Sequence, residues 1–185
     1  MRVVAGIYGS RRLKAVPGEN TRPTTDKIKE SVFNMLGGYF EGGVCLDFYG
    51  GSGAMAIEAV SRGMDQAIIT EMYRPAIQTI EANIAQLEAE DNFIILKGNN
   101  RQSLNKYLVK NASIRFDLII LDPPYAKAAI VDDIEWLEQH ALIANHARII
   151  CETDHHFDLP MEIRQLKQVK QKIYGQTKIT IYERG

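Results

Sequence analysis

Between Val44 and Glu152, short apolar runs alternate with segments of helical periodicity. That alternation restricts the chain to a mainly parallel sheet wound by helices. The runs are Val44–Asp47, Ala67–Thr70, Phe93–Leu96, Phe116–Leu121 and Ala147–Glu152. The helical segments between them are Ala54–Ser61, Pro75–Leu87, Gln102–Val109 and Val131–Ala141. Ala76, Ile77, Ile80, Ile84 and Leu87 mark one inward stripe; Ile134, Leu137 and Ala141 mark another. Crossovers between the strands are expected to be right-handed. The expectation is a doubly wound, Rossmann-like α/β fold.

Both ends depart from the alternation. Arg2–Tyr8 and Arg11–Ala15 flank Gly9-Ser10 and read as a β-hairpin. A punctuated loop, Pro17–Pro23, leads to Thr24-Thr25-Asp26, which has the hydroxyls and the acid of a helix start. Ile28, Val32, Met35 and Leu36 follow at helical spacing, and Gly37-Gly38 stops the helix. At the other end, Leu166–Tyr174 and Lys178–Glu183 surround Gly175-Gln176 with no helix between them. They form a hairpin, so the far edge of the sheet is antiparallel. With 185 residues the expectation is one domain, residues 24–185 forming the core behind a basic segment of residues 1–23.

Charge is segregated along the chain. Residues 1–30 carry seven Lys and Arg against three Asp and Glu, and residues 164–185 carry six against one. The remainder is acidic, and the formal net charge is −1. Basic ends on an acidic body suit an anionic partner such as nucleic acid. No apolar run is long enough for a membrane span or a signal peptide, so a cytoplasmic protein is expected. Cys45 and Cys151 fall inside the expected strands, as small core residues of a reducing compartment.

Two strand ends carry chemistry. Asp47 closes the first strand and is followed by Phe48-Tyr49-Gly50-Gly51-Ser52-Gly53 before a helix. Glycines there let a ligand approach backbone at a helix N-terminus, and Glu71, ending the second strand, is placed to take ribose hydroxyls. No Lys-Ser/Thr follows, which excludes a phosphate loop. The pattern also fits a dinucleotide fingerprint, but Asp47 would repel a pyrophosphate. It suits the cationic amino and sulfonium end of S-adenosylmethionine. Asn99, past the third strand, is either an acceptor for an adenine amine or a turn asparagine.

The second strand end is Asp122-Pro123-Pro124-Tyr125. Neither proline donates to a ladder, and each holds its predecessor extended, so the strand must stop in a stiff loop. The Asp122 carboxylate and the Pro123 carbonyl are two acceptors for the N–H groups of an exocyclic base amine, with Tyr125 to stack on the base. His155-His156, beside Glu152 and Asp154, has no accompanying ligand set and reads as a polar loop rather than a metal site.

The order Thr21-Arg22-Pro23-Thr24-Thr25-Asp26, then Leu46-Asp47 with its glycine loop, then Ser61-Arg62-Gly63, then Leu121-Asp122-Pro123-Pro124-Tyr125, resembles the bacterial 16S ribosomal RNA guanine-N2 methyltransferases. The resemblance spans essentially the whole chain. It implies a seven-stranded sheet, S-adenosylmethionine as donor, and 16S ribosomal RNA or a 30S particle as partner; the sequence does not specify an oligomeric state, and a monomer is the default expectation. It assigns the donor to Asp47, Tyr49, Gly50, Gly51, Gly53, Glu71 and Asn99, with Arg22 and Thr24 closing the site. It assigns the flipped guanine to Asp122, Pro123, Pro124 and Tyr125; the positive charge of the opening segment makes Arg2, Arg11, Arg12 and Lys14 the expected RNA contacts. Tyr49-Gly50 and Asn99 depart from the family's more frequent Phe-Ala and Asp. Alternatives are amino-methylation of adenine or cytosine in DNA, a nicotinamide oxidoreductase, and a non-catalytic RNA-binding protein. The oxidoreductase leaves Asp122–Tyr125 without a role, and the RNA-binding protein explains neither strand-end motif.

Overall fold

The structure is a computed structural model that describes residues 1–18, 24–124 and 126–185. It contains two compact units, Met1–Ala112 and Ser113–Gly185. Arg22 and Tyr125 lie outside the described residues.

The first unit holds a three-stranded parallel sheet in the order β3-β2-β1. Its strands are β1 (Val44–Asp47), β2 (Gln66–Glu71) and β3 (Phe93–Lys97). Asp47 pairs with Ile69 and Glu71 with Lys97, so all three strands end on one edge. Helices α1 (Asp26–Met35), α2 (Ala54–Ser61), α3 (Arg74–Ala85) and α4 (Asn100–Leu108) complete the unit, with a 3₁₀ turn at Glu90–Asn92. Thr25 caps α1, its hydroxyl accepting from the Ile28 amide, and Gly37 and Gly38 take positive φ to end it. Pro75 in the first turn of α3 loses no helical hydrogen bond there.

The amino-terminal hairpin is reduced to a short antiparallel pairing, in which Leu13 donates to the Met1 carbonyl and Val3 to the Arg11 carbonyl (both 2.9 Å), and the segment beyond it is a docked loop. One antiparallel bridge, Arg2–Arg12, survives, and the Ser10 amide donates to the Val3 carbonyl to close a loop wider than Gly9-Ser10. The reason is where the backbone amides go. Those of Val4 and Ala5 donate to the two carboxylate oxygens of Glu58 (2.9 and 3.1 Å), Tyr8 to Ser61 Oγ (3.0 Å) and Ile7 to the Ser61 carbonyl (2.9 Å). Amides committed to α2 cannot extend a ladder. Gly6 sits here at φ +89°, and a Cβ on it would lie 1.8 Å from the Ser61 carbonyl oxygen. Only glycine fits both restrictions.

Glu58 is the centre of a buried charge cluster. Its carboxylate lies 3.4 Å from Lys29 Nζ and 2.8 Å from Arg62 Nε, and all three side chains are almost fully buried. Lys29 also donates to the Arg2 carbonyl at 2.6 Å, and Arg62 to the Gly38 carbonyl at 3.0 Å, its guanidinium standing over the Phe33 ring. Burial lowers the Lys29 pKa, an effect that the Glu58 charge opposes.

The second unit holds β4 (Phe116–Leu121), α5 (Ala126–Gln139), β5 (Ile143–Asp154), β6 (Glu162–Ile163), β7 (Leu166–Tyr174) and β8 (Thr177–Arg184). The strand order is β4-β5-β8-β7-β6, with β4 and β5 parallel and the others antiparallel. The hairpin around Gly175-Gln176 is present, with Gly175 at φ +58°. Eight strands occur among the described residues, where seven were expected. The addition is β6, whose two residues are too few to carry a periodic signal. β5 also begins earlier than Ala147, because Ile143 pairs with Phe116 across an irregularity in β4. Cys45 and Cys151 are buried free thiols, and burial raises both pKa values. No helix is long and apolar enough to cross a membrane, among the described residues.

Candidate functional site

The edge where β1, β2 and β3 end carries a hollow of about 230 Å³, lined by Phe48, Tyr49, Thr70, Glu71, Met72, Gly98, Asn99 and Asn100. Glu71, Tyr49 and Asn99, three of the candidate donor-binding residues, are among them. The Glu71 carboxylate is fixed by three backbone amides: Gly51 donates to Oε2 at 2.8 Å, and Met72 and Tyr73 both to Oε1 at 2.9 Å. It therefore ties the glycine loop to the end of β2 and is already oriented when a ligand arrives. Asn99 serves as N-cap of α4, its Oδ1 accepting from the Gln102 amide at 3.2 Å, while lining the hollow.

Asp47 is only 2 % exposed, and its one described hydrogen bond is a long one from the Tyr49 amide at 3.4 Å. Burial pushes its carboxyl up to about 8; the Tyr49 amide pulls the other way, and the nearby Glu71 charge adds to the rise. A buried acid so weakly compensated fits a cationic ligand group, which restores the ionised form. The carboxyl is ordinarily ionised above about 3.9 in an unfolded chain. Its stabilising contribution to the fold is therefore complete below that value and is lost as pH rises through about 8. The binding counterpart is testable. If a cationic donor engages ionised Asp47, binding at pH 7 releases close to one proton, and Asp47→Asn abolishes the release. Calorimetry in buffers of different ionisation enthalpy reads this directly, and equal proton release by the variant would remove Asp47 from the site.

The glycines divide by role. Gly51 (φ +57°) has nothing within 4 Å of where a Cβ would stand, leaving its backbone open to a ligand. Gly53 (φ +81°) is the N-cap of α2. Gly50 is a packing glycine: its amide donates to the Thr70 carbonyl at 3.0 Å, and a Cβ would lie 2.4 Å from Ile69 Cγ2 and 3.0 Å from Ile80 Cδ1. Gly50→Ala is thus expected to cost about 1–3 kcal/mol by overpacking. Urea unfolding checks this, and an unchanged midpoint would contradict it.

Three contributors were not legible as site residues. Thr70 Oγ1 donates to the Phe48 carbonyl at 2.8 Å and locks the ends of β1 and β2 together. Met72, 70 % exposed, puts an apolar lip beside Glu71. Asn83 is fully buried, accepts from the Lys14 amide (2.8 Å) and donates to the carbonyls of Lys14 (3.0 Å) and Ser52 (2.9 Å). It joins the basic amino-terminal segment to the glycine loop. Its signal in the sequence is a polar residue interrupting the apolar stripe Ile80, Ile84, Leu87.

Arg2, Arg11, Arg12 and Lys14 are exposed. Arg2 and Arg12, with Met1, Ser10, Leu13 and Asp26, line a polar hollow of about 320 Å³, where Arg2 Nε lies 3.8 Å from Asp26 Oδ2. Thr24 precedes the N-cap of α1. In the second unit β4 ends at Leu121; Asp122 is exposed, Pro123 buried and Pro124 exposed. At the end of β5, Asp154, His155 and His156 bring ligand atoms within 4.8 Å of one another, all from consecutive residues of one turn. Asp154 Oδ1 there accepts from the His156 amide at 2.9 Å.

The conserved hypothetical protein 95 family pattern matches residues 1–183. YlbH of Bacillus subtilis (strain 168) is 36% identical over 184 residues, covering 100% of this chain and 99% of the relative. Ribosomal RNA small subunit methyltransferase D of Escherichia coli (strain K12) is 29% identical over 184 residues, covering 100% and 90%. Among solved structures, the yhhF protein of Escherichia coli superposes with a TM-score of 0.82 at 28% identity, covering 100% of this chain and 97% of the other.

Proposed function

The chain belongs to the conserved hypothetical protein 95 family, and from that premise we propose that it is an S-adenosylmethionine-dependent methyltransferase acting on the N2 amine of a guanine in 16S ribosomal RNA. The observation that carries the reading is the strand-edge hollow lined by Tyr49, amide-fixed Glu71 and Asn99, with buried Asp47 closing β1 one residue before its lining begins at Phe48. A relative matched along the whole chain is named a ribosomal RNA small subunit methyltransferase, and that name supports RNA as the acceptor class.

In this reading Asp47 binds the amino acid end of the donor, Glu71 accepts from its ribose hydroxyls, and Met72 with Asn99 borders its adenine. The donor supplies an electrophilic methyl group on a sulfonium. The guanine N2 lone pair is delocalised into the ring, so the protein must aim it. The Asp122 carboxylate and the Pro123 carbonyl accept its two N–H groups, and Tyr125 stacks on the flipped base. When bound, the donor would give up its methyl group to the nitrogen and keep the bonding electron pair on its sulfur. The carboxylate steadies the positive charge on nitrogen until the proton departs to it or to water. Arg2, Arg11, Arg12 and Lys14 hold RNA phosphates, and Arg22 with Thr24 closes over the donor.

The test is incubation with methyl-labelled S-adenosylmethionine and, separately, undermodified 16S ribosomal RNA, undermodified 30S subunits and DNA. Label recovered as N2-methylguanosine from either RNA substrate is expected. Label confined to DNA adenine or cytosine would replace this reading with the DNA alternative.

A further inference from the structure

The side chain of Asn83, on α3, serves two separate stretches of backbone at once. The Lys14 amide donates to Asn83 Oδ1 at 2.8 Å, and Asn83 Nδ2 donates to the Lys14 carbonyl at 3.0 Å. Both backbone groups of Lys14 are thus paired, as an adjacent strand would pair them. The same Nδ2 donates to the Ser52 carbonyl at 2.9 Å, inside the glycine loop. A side-chain amide nitrogen carries two hydrogens, and both are in use. The Lys14 N–H only donates, which turns Oδ1 toward it and leaves Nδ2 to the two carbonyls.

Burial makes this sharing consequential. Asn83 is fully buried, so a partner that leaves strands a polar group away from solvent, at a cost. Release of Lys14 removes two hydrogen bonds and with them the orientation of the amide that holds Ser52. Ser52 lies between Gly51, whose amide donates to the Glu71 carboxylate, and Gly53, the N-cap of α2. A ligand that fixes this loop therefore also fixes the amide on which Lys14 is seated. Gln86, the C-cap of α3, holds the Arg12 carbonyl at 2.5 Å and makes no described bond to the glycine loop. The side chains of Arg12 and Lys14 stay exposed while their backbone is held. None of the described residues lining the donor hollow comes from the amino-terminal segment, so the connection runs through Asn83.

We propose that Asn83 is a positioning residue that couples the basic amino-terminal segment to the donor loop. Filling the donor hollow fastens the stretch that presents Arg12 and Lys14 to RNA. This rests on the reading of the hollow as the donor site and of the segment as an RNA contact. The coupling is reciprocal: the factor by which donor tightens RNA is the factor by which RNA tightens donor.

The experiment is amide hydrogen exchange on the full chain, with and without saturating S-adenosylhomocysteine. Exchange of the Lys14 amide is expected to slow about fivefold or more, the lower end of coupling between sites. In Asn83→Ser, whose hydroxyl is too short to bridge both carbonyls, that slowing should vanish while the Gly51 amide is still protected. Affinity for an undermodified 16S ribosomal RNA transcript should rise about fivefold with S-adenosylhomocysteine in the wild type and stay level in Asn83→Ser. Gln86→Ala, which removes an exposed side chain and leaves the Ser52 bond, should retain the effect at Lys14. Loss of the effect in Gln86→Ala would overturn the proposal in favour of the end of α3. Equal slowing in Asn83→Ser would also overturn it, by assigning the protection to another contact. Bound S-adenosylhomocysteine with unchanged Lys14 exchange in the wild type sinks this inference alone. A wild-type chain that fails to bind S-adenosylhomocysteine by calorimetry sinks the functional reading with it.

Discussion

Asp122→Asn is expected to slow methyl transfer on the order of ten- to a thousandfold while leaving donor affinity unchanged. The amide keeps the shape of the carboxylate and still presents one carbonyl to the amine. It loses the negative charge that supports nitrogen as the methyl arrives, so the loss falls on the chemical step. Structural economy forecasts the opposite. Asp122 is exposed just past the end of β4, where asparagine is an equally good loop residue. If the side chain only terminates the strand, neither rate nor stability should move. Single-turnover kinetics at saturating RNA separates the two, and a full-rate variant would remove Asp122 from the mechanism. Tyr125→Ala acts on capture of the base instead, so it should raise the RNA concentration needed for half-maximal rate.

Glu58→Ala is expected to destabilise the chain by about 3–5 kcal/mol, the usual consequence of removing one partner from a buried ion pair. Val4 and Ala5 would lose the acceptor for their amides, Arg62 would lose its buried carboxylate partner, and Lys29 would be left with Asp26 at 4.0 Å. The loss is expected to release the amino-terminal segment first. Proteolysis should then cut near Arg2, Arg11 or Arg12 before the rest of the unit opens. Urea unfolding with a parallel limited digestion checks both parts. A cost below about 1 kcal/mol with an intact amino terminus would mean that the cluster tolerates an empty centre.

Asp122 and Glu58 also mark two kinds of legibility. The parallel strands, the winding helices and the carboxy-terminal hairpin follow from periods of two and 3.6 residues and from Gly and Pro punctuation. These are local properties that a chain displays along its own length. The strand-end placement of Asp47, the glycine loop and Glu71 is readable for the same reason, since each is a polar residue or a glycine where an apolar run stops. Glu58 gave no such sign. On the helix Ala54–Ser61 it reads as an ordinary solvated acid, yet it is buried where Val4 and Ala5, 54 and 53 residues earlier, lay their amides on it and Lys29 and Arg62 pair with it. Asn83 likewise gains its role from Lys14, 69 residues away, and Ser52, 31 residues away. The docked loop beyond the Arg2–Arg12 pairing belongs with them. Gly9-Ser10 does favour a turn locally, but Glu58 and Ser61 offer the neighbouring amides better-placed acceptors than a second strand would. Local periodicity and punctuation thus set the order of elements and put Asp47, the glycine loop and Glu71 at strand ends. Which polar groups are buried, and whom they serve, follows from contacts between distant parts of the chain. An unpaired buried amide or charge is costly, and its partner is found by proximity in space and not by position in the chain.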